Sequence, residues 1–268
     1  MKIAFIGGGN MASALIAGLA KQADTTIHVV DPNAEALQRL AQQYGASTAS
    51  TIDAGVAGSD VVVLAVKPQQ MREVAAALAP YLNKQLVLSI AAGIRSRDLS
   101  RWLGGYDAIV RTMPNTPALI GMGITGMAAQ AGVSAAQRDA ADAVMRAVGK
   151  TVWLDDEAQI DAVTAVSGSG PAYVFLFLEA MQTAARELGL NAEQGRELAL
   201  ATFTGAAQLA AQSDEAVEVL RQRVTSKGGT TYAAISSMEA AGVREAIGAA
   251  MKAAAARGRE LGEELGKD

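Results

Sequence analysis

The residues Gly7-Gly8-Gly9-Asn10-Met11-Ala12 match the pattern G-x-G-x-x-G/A, with Gly7, Gly9 and Ala12 at its three key places. Alone the match is weak. It gains force from its setting: the apolar run Ile3-Ala4-Phe5-Ile6 precedes it, a helical pattern from Asn10 to about Lys21 follows, and an acid, Asp31, stands 22 residues beyond Gly9. That is the context of a dinucleotide pyrophosphate site. Gly7 permits the tight turn, Gly9 lets the backbone approach the pyrophosphate, and Ala12 allows close helix–strand packing. The free N–H groups of the helix start hold the anion. A merely tight strand–helix turn is the plainer alternative.

Other segments could complete such a site. A carboxylate at Asp31 hydrogen-bonds the adenosine ribose hydroxyls and repels a 2′-phosphate, which argues for NADH, and no Arg or Lys directly adjoins it. Pro32-Asn33 offers a second geometry, in which Asp31 points elsewhere and Asn33 donates to a phosphate, so NADH and NADPH both stand. Ala65-Val66-Lys67-Pro68 ends a strand at the edge where such folds place ligands, and Lys67 is either a cofactor contact or a solvated loop lysine. Ser89-Ile90-Ala91-Ala92-Gly93 ends the next strand in small residues that allow close approach of a flat ring. Arg111 to Pro117 is a polar loop pinned by two prolines, a site wall or plain rigidity. Val224-Thr225-Ser226-Lys227-Gly228-Gly229-Thr230-Thr231 runs into a helix. It reads either as a carboxylate or phosphate site of exposed N–H groups and hydroxyls or as an ordinary helix cap by Ser226 or Thr230. Ser167-Gly168-Ser169-Gly170-Pro171 is a capped hinge or a site loop.

The elements that must position these residues change character along the chain. Ile3–Ile6, Ile27–Val30, Val61–Val66 and Leu86–Ile90 are continuous apolar runs bounded by turn residues, the mark of strands covered on both faces. Helical segments alternate with them, one carrying Leu37 and Leu40 on one face and one running from about Gln69 to Tyr81. The alternation implies right-handed βαβ units and a parallel sheet. Ala108–Met113 and Ile124–Ala128 extend it. After about Asp156 only helical composition is found: Pro171–Leu188, Asn191–Ala211, Glu215–Arg223, Thr231–Ala240 and Val243–Leu265. Gly189 sits where a helix should end, and Asn191 with Gln194 resembles a capping pair. We therefore expect a Rossmann-type α/β domain over 1–158 and an all-helical domain over 159–268. Tyr173 to Leu178 are contiguous and apolar or aromatic, so their helix needs burial on every side. Five helices can hardly enclose it alone, which points to a dimer interface; the alternative is the central helix of a monomeric bundle.

Composition narrows the chemistry. The 268 residues are 50% hydrophobic, with a net charge of −4, which disfavours a broad nucleic-acid surface. With no cysteine there is no thiolate nucleophile, iron–sulfur cluster or cysteine zinc site, and one histidine, His28, excludes a paired-histidine metal site within one chain. Met1, Lys2 and the apolar stretch Ala14–Ala20 superficially resemble a secretory leader, but Gly7–Asn10 interrupts the apolar region where a signal helix would continue. No run nears the roughly 18 unbroken apolar residues of a membrane span. A cytoplasmic protein is expected.

Together these segments resemble the pyrroline-5-carboxylate reductase family through nearly the whole chain. The carrying motifs are Phe5 to Met11, Ala65 to Pro68, Ser89 to Gly93, Arg111 to Ala118, Val166 to Tyr173 and Val224 to Thr231. The resemblance implies reduction of 1-pyrroline-5-carboxylate to L-proline with NADPH or NADH. It also implies a Rossmann domain followed by a helical dimerisation domain, often assembled as a ring of five dimers. By resemblance Thr231 hydrogen-bonds the ring nitrogen. Ser226, Gly229 and Thr230 line the substrate carboxylate, and the substrate site is completed at the dimer interface. Ile6, Gly7, Gly8, Gly9, Asn10, Met11, Asp31, Ala65, Val66, Lys67, Pro68, Ala91 and Ala92 serve the cofactor; no metal is implied. A protonated C=N is already electrophilic, so a chain with one histidine and no cysteine can perform this reduction. Two positions depart from the family: Lys227 stands where proline is usual in the substrate turn, and Ile52 lies near where an asparagine often meets the adenosine ribose. Two rival readings remain, a reductase of another cyclic imine and a non-catalytic dinucleotide-binding redox sensor.

Overall fold

The computed structural model of the chain describes residues 1–267. Two compact units are formed, one from Met1–Ser169 together with the residues from Ala253 onward, the other from Gly170–Lys252.

The first unit is built on eight strands: β1 (Lys2–Ile6), β2 (Thr26–Val30), β3 (Ser47–Ala49), β4 (Val61–Leu64), β5 (Leu86–Ser89), β6 (Ile109–Met113), β7 (Gly123–Ala129) and β8 (Gly149–Trp153). Their order across the sheet is β3-β2-β1-β4-β5-β6-β7-β8. Its helices are α1 (Asn10–Leu19), α2 (Ala34–Tyr44), the single turn α3 (Ala54–Ala57), α4 (Met71–Leu78), α5 (Ser96–Trp102), α6 (Ala135–Arg146) and α7 (Ile160–Val163). Alternate residues of the central strands feed two separate cores. Ile3, Phe5, Val61, Val63, Leu86 and Leu88 pack on one face. Ala4, Ile6, Val62, Leu64 and Val87 pack on the other. This two-residue period is why the runs are apolar throughout.

Chain order reverses between β1 and β4, so the crevice for a ligand opens there. The register sharpens the point: Ile6 pairs with both Val30 and Leu64, and Leu64 with Ser89. Strands β1, β2, β4 and β5 thus end level, and the segments that follow them emerge along one edge.

Both late apolar segments do join the sheet, but β7 runs antiparallel to β6. The reason is local. Only a short 3-10 turn, Thr116–Ile120, lies between them, whereas a parallel return needs a crossover of roughly a dozen residues or more. The short strand β3 and the edge strand β8 carry too little apolar sequence to announce themselves.

Residues 159–169, grouped from sequence with the helical half, pack on the sheet. Ile160 is buried, a β-carbon at Gly126 would lie 2.7 Å from Val163 Cγ1, and Ser167 offers its carbonyl to Asn115. Strand patterns stop earlier than the sheet's packing does.

The second unit contains α8 (Gly170–Glu187), α9 (Ala192–Gln212), α10 (Val217–Arg223), α11 (Thr230–Ala240) and the start of α12 (Val243–Leu265). Asn191 and Gln194 form a reciprocal capping box at the start of α9. The apolar stretch of α8 is only partly covered. Leu178 is buried and Phe177 meets Phe203 with ring centroids 5.7 Å apart, but Phe175 and Leu176 are 65% and 67% exposed. The helical run Glu157–Glu187 is long and apolar enough to cross a membrane by length and composition alone, although no long part of it is unbroken by polar residues.

Candidate active site

Strand β1 delivers the glycine turn to the sheet edge. Gly7 has φ +104°, a region that L side chains rarely adopt, and a β-carbon there would stand 2.7 Å from the Ala65 carbonyl oxygen. Its N–H donates to Val30 O and the Ala65 N–H donates to Ile6 O, both at 2.8 Å. Gly7, the end of β2 and Ala65-Val66 are therefore stitched together, as a phosphate-cradling turn requires. Helix α1 follows, with Gly9 at its N-cap and no side-chain cap. The first N–H groups of a ten-residue helix thus point at the edge without a side-chain acceptor, which fits an anionic pyrophosphate. Gly9 and Asn10 are exposed, and Met11 is half-buried.

Gly7→Ala should combine positive-φ strain with a backbone collision. We expect a stability loss of about 1–3 kcal/mol and at least tenfold weaker NAD(P)H binding. Thermal melting and cofactor titration check both, and wild-type affinity would remove Gly7 from the site.

Asp31 lies against this turn. Its Oδ2 accepts the Gly8 N–H at 2.6 Å and its Oδ1 accepts the Asn33 N–H at 2.8 Å. The Asn33 side chain is occupied elsewhere: its Oδ1 caps α2 by accepting from Glu35 and Ala36 N–H. After β4 come half-buried Ala65, Val66 and Pro68 and exposed Lys67, the last at the N-cap of a 3-10 turn. After β5, Ala91 is buried, Ala92 exposed, and the Ala91 N–H reaches Ser89 Oγ at 3.4 Å. The structure thus gathers Ile6–Met11, Asp31, Ala65–Pro68 and Ala91-Ala92 along one sheet edge. Ile52 packs against the core on the Ala4, Ile6 and Leu64 face of the sheet.

One contact to this edge was not anticipated. Gly93 has φ +77°, and the last turns of α12 lie over it: a β-carbon at Gly93 would meet Leu265 Cδ1 at 3.1 Å and Leu261 Cβ at 3.4 Å. Opposite, a β-carbon at Gly262 would sit 3.0 Å from Arg95 Nε and 3.4 Å from Gly93 O. Two glycines facing each other allow helix and loop to touch backbone to backbone. The sequence signal was only a glycine after small residues.

Two polar ties brace the far side of the edge. Arg111, buried on β6, donates to Glu157 Oε1 at 3.0 Å, and the same oxygen accepts the Ser96 N–H at 2.8 Å. Buried Asn115 accepts the Ile124 N–H at 2.9 Å and donates to Ser167 O at 3.1 Å, within a π-turn spanning Thr164–Gly168. His28 stands apart. Its ring nitrogens meet Ser47 Oγ and Asp53 Oδ1, each at 2.9 Å, clipping β3 and α3 to β2. Among the described residues no group of three His, Cys, Asp or Glu side chains is placed to hold a metal.

In the second unit, α10 gives way at Val224, and Thr225 Oγ1 donates to Arg221 O. The Gly229 N–H closes a turn onto Ser226 O at 3.0 Å, and α11 starts at Thr230 with Gly229 as its N-cap. No side chain caps this helix, so neither Ser226 nor Thr230 fills the ordinary capping role. Ser226, Lys227, Thr230 and Thr231 are exposed and Gly229 is half-buried. Exposed hydroxyls beside uncapped N–H groups at the start of an eleven-residue helix suit a carboxylate.

Both halves of the chain have counterparts among known proteins. Residues 157–261 match the family model for pyrroline-5-carboxylate reductase dimerisation, and residues 2–93 match the model described as NADP oxidoreductase, coenzyme F420-dependent. A pyrroline-5-carboxylate reductase of Pseudomonas aeruginosa is 50% identical over 99% of this chain and 98% of its own. The chain belongs to the pyrroline-5-carboxylate reductase family. The solved structure of the family member from Coxiella burnetii superposes with a TM-score of 0.92 at 42% identity, covering 97% of each chain. That from Plasmodium falciparum, solved with NADP bound, gives 0.87 at 29% identity over 98% of each chain. Family membership accounts for the Rossmann-like sheet and the helical half together.

Proposed function

We propose that this protein reduces 1-pyrroline-5-carboxylate to L-proline, the last step of proline biosynthesis, using NADH or NADPH. The observation that carries the reading is the coexistence in one family member of a glycine turn that admits no side chain at Gly7 and an uncapped, hydroxyl-flanked helix start at Thr230. The nicotinamide, when bound, supplies the hydride. The protein's task is to position and hold charge. The free N–H groups at the start of α1, from Gly9 to Met11, receive the pyrophosphate, and Gly7 and Gly8 shape the turn beneath it. Asp31 and Lys67 address the adenosine half and its phosphates, while Ala65, Val66, Pro68, Ala91 and Ala92 leave room for flat rings. Ser226 and the N–H groups from Gly229 to Thr231 receive the substrate carboxylate. The Thr231 hydroxyl hydrogen-bonds the ring nitrogen, so the imine carbon gains the hydride while its nitrogen keeps the proton.

In this reading residues 1–158 serve the dinucleotide and the dimerisation and substrate roles fall within 159–268, although residues 159–169 and those from Ala253 onward pack with the first unit. The apolar face of α8 is read as a surface between two copies in a cytoplasmic enzyme rather than as a membrane span, because it lies within the dimerisation match. A ring of five dimers is the larger assembly in this reading, with neither nucleic acid nor membrane as partner.

Oxidation of NADH and NADPH, followed at the nicotinamide absorbance with and without pyrroline-5-carboxylate, tests the reaction. Imine-dependent oxidation is expected. A higher kcat/KM for the six-membered homologue would transfer the assignment to that ring, and tight cofactor binding without turnover of either imine would favour a sensor.

A further inference from the structure

We propose that Asp31 makes this enzyme selective for NADH over NADPH; the inference rests on the reductase reading above and concerns its cofactor. The sequence left two geometries open, and the structure shows one of them. Asp31 does not turn away. Both of its carboxylate oxygens accept backbone N–H groups, from Gly8 at 2.6 Å and Asn33 at 2.8 Å, so the side chain is held against the glycine turn at the end of β2. The Asn33 side-chain oxygen is engaged by the first turn of α2.

A carboxylate offers about four lone-pair positions, and two N–H donors leave roughly two for the ribose hydroxyls, which donate. A 2′-phosphate in the same place has no proton to donate and brings close to two negative charges beside a fixed anion. Asp31 forms no ion pair among the described residues, and the first turn of α2 adds a second carboxylate, Glu35. Arg39 is the one basic side chain between Asp31 and Tyr44, and its Nη2 reaches Ser13 Oγ at 3.4 Å rather than the carboxylate.

The test is steady-state kinetics with each cofactor at saturating pyrroline-5-carboxylate, for the wild type and for Asp31→Asn. Asparagine keeps an acceptor for the Gly8 N–H and removes the charge. The wild type should show kcat/KM at least tenfold higher with NADH, and the gap should narrow as salt screens the repulsion. Asp31→Asn should shrink the ratio at least tenfold, mainly through a lower KM for NADPH. Equal use of both cofactors or a preference for NADPH by the wild type overturns the proposal, as does a variant that weakens both cofactors alike, which would make Asp31 a brace for the turn. If neither cofactor is oxidised with the imine, the reductase reading fails. Fluorescence titration of the wild type with NADH and NADPH then still decides selectivity by the same tenfold criterion.

Discussion

Exchanging Phe175 and Leu176 together for glutamate should convert the protein to a monomer. Both side chains lie mostly exposed on α8 in the isolated chain, beside buried Leu178, within the region that matches the family's dimerisation model. In a dimer each new carboxylate would enter an apolar surface without a partner, a situation that costs about 3–5 kcal/mol per uncompensated charge. Even one such penalty weakens association by about two orders of magnitude or more. Light scattering at micromolar concentration should report one chain's mass, while circular dichroism keeps its helical signal. Because the family resemblance implies a substrate site completed between copies, reductase turnover should fall with the dimer. A variant that still dimerises would show that this face meets something other than a second copy.

Thr231→Ala should lower turnover about tenfold or more, the consequence of losing one hydrogen bond of roughly 1.5 kcal/mol in the transition state. Thr231 is exposed at the second position of α11, and alanine is the better helix former, so the fold has no reason to suffer. The expected signature is a reduced kcat with an unchanged melting temperature, and recovery in Thr231→Ser, which restores the hydroxyl. Wild-type turnover in the alanine variant would strip Thr231 of its role.

How much of this was legible beforehand follows from which features are local. The first strand and its glycine turn were readable because their cause is short-range: Ile3 to Ile6 form a strand apolar on both faces, and Gly7 and Gly9 follow at once. Helix ends were readable where a capping pair such as Asn191 and Gln194 carries its own chemistry. What stayed hidden depends on distant partners. The packing of residues 160–168 on the sheet depends on Gly126 leaving room for Val163. The direction of Asp31 depended on a Gly8 N–H that only the folded sheet brings to it. The uncapped start of α11 was ambiguous for another reason: Ser226 and Thr230 are residue types that both cap helices and bind anions, and only coordinates separate the roles.

The clasp of Leu261, Gly262 and Leu265 over Gly93 also orders events in time. During synthesis β1 to β5 leave the ribosome early and can pair as they emerge, since domains fold as units from the N-terminus. The loop after β5 must wait, because its covering residues are made only after the whole helical unit. The sheet edge beside Gly93 is therefore covered last, by chain that follows most of the region matching the dimerisation model. Until those residues are made, the loop after β5 lacks its cover.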